Sequence, residues 1–88
     1  MPDVRAEIDR LDVELLALFA EREGYINRAA EIKQIEKIPA NVPERVEAVI
    51  ANAKRLADEN GLDGEFYATL WRQLVRHSIA MEDEVLEK

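Results

Sequence analysis

The chain has 88 residues, a formal net charge of −7, 48% apolar and 35% charged residues, three glycines, three prolines and no cysteine. That length makes one domain, over residues 1–88, with only a modest core of its own, and the acidic balance excludes a nucleic-acid surface, which needs a basic patch or stripe. Without cysteine there is no disulfide framework and no thiolate metal site, and His77, the one histidine, cannot make a metal cluster unaided.

Residues 4–38 read as one long helix. Apolar residues recur at Val4, Ile8, Leu11, Leu15, Leu18, Tyr25, Ala29 and Ile32 in steps of three and four, with no proline inside and only Gly24 as a weak interruption. At ~1.5 Å per residue such a rod is about 50 Å long, far longer than either helix after it, and nothing else in the chain can cover it. The stripe breaks its own rule at Arg22, which shares a seven-residue register with Ile8, Leu15 and Ala29. Lys33 follows eleven residues later, and eleven steps of ~100° return to within roughly 20° of the same direction. Two long cations therefore share a face. Arg5 lies about 25 Å from Arg22 along the same helix and can join them only from a second copy of the chain.

The run Lys37 to Pro43 is a stop, a short linker and a restart: Pro39 biases Ile38 away from helix, and Pro43 suits the first turn of the next one. A second helix is expected over 43–60, with Val46, Val49, Ile50, Ala53, Leu56 and Ala57 on one stripe and Asn60-Gly61 as its stop. Arg45, in its first turn, opposes the helix dipole and is either simply exposed or has an anionic task. Asp63 is a suitable N-cap for a third helix over 64–86, with Tyr67, Leu70, Trp71, Leu74, Ile79 and Val85 on its apolar face. Trp71 reads as core rather than as a stacking surface for a ligand.

Ser78 and Glu82 fall on that inward face one turn apart, and two inward polar groups need partners. Helix backbone would satisfy the serine, and a salt bridge or partial exposure the glutamate. His77, beside Arg76, is expected to face solvent and is assigned no role. The first ten residues lack the apolar run of a signal peptide and no segment approaches membrane-span length, so a cytoplasmic protein without membrane contact is expected. What remains is a cation-rich set, Arg5, Arg22, Lys33 and Arg45 with Ser78 and Glu82, that three helices can turn inward around a small dianion.

RAEIDRLDVELLALFAER at 5–22, IK at 32–33, PER at 43–45, NGLD at 60–63 and LVRHSIAME at 74–82 closely resemble the all-helical (type II) chorismate mutase family over nearly the whole chain. The resemblance implies an all-α fold in which two chains wrap around each other as an intertwined homodimer, each of two sites borrowing one arginine from the partner. It implies that Arg5 of the other copy and Arg22 hold the two carboxylates of the substrate, with Arg45 in support. Lys33 would donate to the ether oxygen of the breaking bond, and Glu82 stands where many members place a Gln as the second donor. Ser78 stands where the family often places a small polar contact. The implied reaction is the Claisen rearrangement of chorismate to prephenate, a step of aromatic amino acid biosynthesis that needs no metal and no cofactor.

Two positions depart from the family pattern. A carboxylate at Glu82 accepts hydrogen bonds only and must be protonated to donate, which implies activity that improves toward acidic pH or a carboxyl pKa raised by burial. Val46 occupies the place where members acting on chorismate commonly carry a Glu that accepts from the ring hydroxyl, and the surrounding PERV resembles the isochorismate-pyruvate lyase branch, which releases salicylate and pyruvate. A related branch rearranges 4-amino-4-deoxychorismate. Glu47 supplies the missing acceptor if the second helix is offset by one residue. Chorismate mutase is the favoured reading; the lyase and a non-catalytic helical dimer are the alternatives, the last opposed by the cost of placing Arg22 and Lys33 in a seam with no anionic ligand.

Overall fold

The computed structural model describes residues 1–86 and contains three helices: α1, Pro2–Glu36; α2, Pro43–Glu59; and α3, Gly64–Leu86. No strand occurs among the described residues. The principal extents are 51 × 23 × 15 Å, and the longest of them is set by α1. The first helix begins and ends two residues earlier than its hydrophobic pattern suggests. Pro2, with no N–H to leave unsatisfied, opens the first turn. At the other end Lys37 enters the left-handed region (φ 59°, ψ 40°) and stops the helix before Ile38.

That stop is a Schellman-type turn: the Lys37 and Ile38 N–H groups both donate to the Lys33 carbonyl, the latter at 2.8 Å. A second such turn ends α2, where Gly61 (φ 73°) lets its own N–H reach the Asp58 carbonyl and the Leu62 N–H reach the Ala57 carbonyl at 2.8 Å. Asp63 then caps α3, its Oδ1 accepting from the Glu65 and Phe66 N–H groups at 3.1 and 3.2 Å.

The tight turn lays α2 antiparallel on α3, as the crossing pairs Arg72 with Glu47 and Lys54 with Glu65 show. Small and branched side chains on one face of α2, Ile50, Ala53 and Ala57, are buried against it. The C-terminal half of α1 packs on the other side of α3, with the Phe19 and Trp71 rings 6.4 Å apart and His77 3.7 Å from Glu23. Helices α1 and α2 pack on α3 but not on each other, which leaves an open trough between them with α3 as its floor.

The N-terminal half of α1 is left uncovered by the other described residues. Val4, Ile8, Leu11, Leu15 and Leu18 each keep 46–61% of their surface exposed, although they form the stripe that the spacing assigns to a core. No large side chain among the described residues is fully buried.

Candidate active site

The trough between α1 and α2 is a cavity of about 430 Å³. Helical periodicity puts Arg22 and Lys33 on the face of α1 that looks into it, with Ile26 and Ala29 between them. The first turn of α2 contributes Arg45 and Val46, and α3 contributes Ser78 and Glu82 from its floor. Six of the seven residues that the sequence nominated thus line one cavity. The seventh, Arg5, lies near the exposed start of α1 and does not line it.

Lys33 is the hub. Its Nζ donates to Glu82 Oε2 at 2.7 Å and to the Ala40 carbonyl at 3.1 Å, so one ammonium ties α1 to α3 and to the linker. The pair is shielded, with side-chain exposures of 22% for Lys33 and 8% for Glu82. Such a pair persists only because its geometry is good and the remaining hydrogen-bonding capacity finds partners. Among the described residues no buried side-chain nitrogen or oxygen lacks one.

Ser78 Oγ donates to the Leu74 carbonyl one turn back at 2.9 Å, the local satisfaction expected of a helical serine, and also accepts from Arg22 Nη1 at 3.4 Å. The hydroxyl thereby props the guanidinium over the cavity. Arg45 is exposed and makes no ion pair among the described residues. Three cations therefore face one carboxylate in a chain whose net charge is −7.

Two sequence readings need correction. Glu47 does not replace a missing acceptor at Val46: Val46 lines the cavity with Val42 and Val49, while Glu47 lies on the outer face of α2 and accepts from Arg72 Nη1 at 3.3 Å. One residue is about 100° of helix, and the ion pair to α3 holds that orientation. Trp71 is not simply core. It is half-buried and forms the wall between this cavity and a smaller one of about 200 Å³ on its other side. Extending the inward series from Ser78 and Glu82 back by one and two turns would have found it. The Ala40 carbonyl was also missed, and no residue pattern announces a backbone acceptor in a linker.

The family model described as "Chorismate mutase type II" matches residues 4–83. The chain belongs to that family. Within the type II chorismate mutase family, it is 38% identical over 91% of its length to the "Isochorismate pyruvate lyase" of Pseudomonas aeruginosa, covering 78% of that protein. It is 31% identical over its full length to the "Chorismate mutase" of Methanocaldococcus jannaschii, covering 89% of it. To the "4-amino-4-deoxychorismate mutase" of Streptomyces pristinaespiralis it is 33% identical over 92% of its length, covering 63% of that protein. No solved structure matches the chain.

The all-α architecture expected of the family is the one observed. Among the described residues no helix is long and apolar enough to cross a membrane, and no three His, Asp or Glu side chains converge as a metal site would require. Chemically, the trough offers three cations, the hydroxyls of Ser78 and Tyr25 and one carboxyl group around a volume suited to a small, multiply charged ligand.

Proposed function

We propose that the protein is a chorismate mutase of aromatic amino acid biosynthesis that acts in the cytoplasm and converts chorismate to prephenate. The observation that carries this reading is the convergence of Arg22, Lys33 and Arg45 on one 430 Å³ trough in an acidic chain of this family. The reaction breaks an ether C–O bond and forms a C–C bond within one molecule, so the site needs no nucleophile. Its task is restraint and charge stabilisation.

In this proposal Arg22, held by Ser78, binds one carboxylate and Arg45 supports it, while Lys33 donates to the ether oxygen as negative charge develops there. Glu82 donates a second hydrogen bond to that oxygen when protonated. Because Lys33 engages Oε2, the proton would sit on Oε1. The second carboxylate is bound by Arg5 of another copy. Support for such a copy comes from the half-exposed Val4, Ile8, Leu11 and Leu15 stripe, because covering each of those side chains contributes on the order of 1 kcal/mol. An intertwined homodimer would cover that stripe and complete the trough together.

One observation favours a second reading. The α2 wall is apolar at Val42, Val46 and Val49, with Glu47 turned outward, so no side-chain acceptor on that wall meets a ring hydroxyl. An isochorismate-pyruvate lyase, which needs the same cations, tolerates that wall. Parallel incubation with chorismate and with isochorismate separates the readings. Prephenate from the first, with little change in the second, supports the mutase; salicylate and pyruvate from the second, with slow turnover of the first, supports the lyase. A non-catalytic dimer would transform neither and gain no thermal stability from a chorismate-like dicarboxylate.

A further inference from the structure

A lysine ammonium has three N–H donors and rotates freely unless they are engaged. In this structure two of the three are taken, one by Glu82 Oε2 on α3 and one by the Ala40 carbonyl in the linker; among the described residues no acceptor takes the third, and Lys33 lines the cavity. The acceptor in the linker is not loosely placed. The Lys33 carbonyl receives the Lys37 and Ile38 N–H groups, so the main chain of Lys33 starts the turn that returns Ala40 to the side chain of the same residue. Ala40 itself is 5% exposed and lines the trough. Main-chain and side-chain bonds of one lysine thus close a ring around residues 33–40, with a non-glycine residue, Lys37, accepting a left-handed conformation to do so.

We propose that the Ala40 carbonyl is a positioning group for Lys33: together with Glu82 it locks the ammonium so that a single N–H is presented to the ligand, and the α1–α2 linker is thereby part of the catalytic apparatus. The inference rests on the proposed function for its kinetic consequence but not for its geometry. Holding a donor in one orientation before the transition state forms lowers the reorganisation needed at reaction, and a misplaced donor costs rate more than binding. Glu82 alone would leave the ammonium free to turn about the Nζ–Oε2 direction.

The test is a chemically synthesised chain in which Asn41 is replaced by its α-hydroxy acid, so that the bond after Ala40 is an ester and its carbonyl a poorer acceptor. The Asn41 N–H makes no backbone hydrogen bond among the described residues, so its loss removes no such bond from the fold. Compared with the all-amide synthetic chain, kcat for chorismate is expected to fall roughly five- to tenfold with KM within about twofold and the thermal midpoint nearly unchanged. In chains labelled with ¹⁵N at Lys33 Nζ, the ammonium protons of the ester chain should exchange with water several-fold faster. Unchanged kcat with unchanged ammonium exchange overturns the proposal. So does a fall in kcat that accompanies a large drop in thermal midpoint with the exchange unaltered, because that is a folding effect. If the all-amide chain itself turns over no chorismate, the proposed function fails, and the ammonium exchange still decides whether Ala40 positions Lys33.

Discussion

Lys33 and Glu82 lie 49 residues apart and meet at 2.7 Å, joining the long helix to the floor of the trough with the charge of each directed at the other. The pair gives Lys33 its place over the cavity and makes Glu82 an acceptor in its ionised form. Neither residue can be changed without altering the other's surroundings.

Replacing Lys33 with alanine should therefore do two things. It removes the proposed donor to the ether oxygen, expected to lower kcat/KM by ~10²-fold or more. It also leaves Glu82 buried without its cation, which should lower the thermal midpoint. Lys37→Ala is the control: Lys37 is exposed, its left-handed strain is the same for both side chains, and steady-state kinetics on it should match the wild type.

Glu82→Gln should separate the protonation requirement from the hydrogen bond. A carboxylate accepts hydrogen bonds only, whereas a glutamine amide keeps an acceptor oxygen for Lys33 and adds N–H donors, so kcat of the variant at neutral pH is expected to equal or exceed that of the wild type. Steady-state kinetics of both proteins at neutral pH are the measurement. A large fall in kcat for the variant would remove position 82 from the list of donors.

The proposed sharing of Arg5 between copies has a quantitative signature. In a mixture of Arg5→Ala and Lys33→Ala chains, each inactive alone, a mixed dimer has one site with both residues intact and one with neither. Random pairing then restores about a quarter of wild-type activity after refolding together. No recovery, with mixed dimers demonstrated by native mass spectrometry, would overturn the supply of Arg5 from one copy to the site of the other.

Gly61→Ala should act on stability alone. At φ 73° a Cβ is strained, and the loss is expected to be about 1 kcal/mol in chemical denaturation. Activity per folded molecule should not change, because the turn is remote from the trough.

Much of this architecture was legible as local chemistry. Proline at Pro43, the Asn60-Gly61 stop and the Asp63 cap mark helix ends because they act within a turn of themselves. The placement of Arg22 and Lys33 on one face needed only the helical repeat, as did the inward direction of Ser78 and Glu82. The excess length of α1 was likewise arithmetic, and its uncovered stripe is where that arithmetic put it.

What the chain by itself determined, then, is which way each side chain points about its own helix axis. How the three axes lie relative to one another was decided only in the tertiary structure, and with it every relationship between helices. Whether Lys33 meets Glu82, whether Arg22 leans on Ser78, and whether Val46 or Glu47 faces the trough depend on how α1 and α2 seat on α3. The Ala40 carbonyl is the extreme case. It reaches Lys33 because a left-handed residue and two main-chain bonds fold the linker back, and a backbone acceptor carries no residue identity by which a sequence could reveal it.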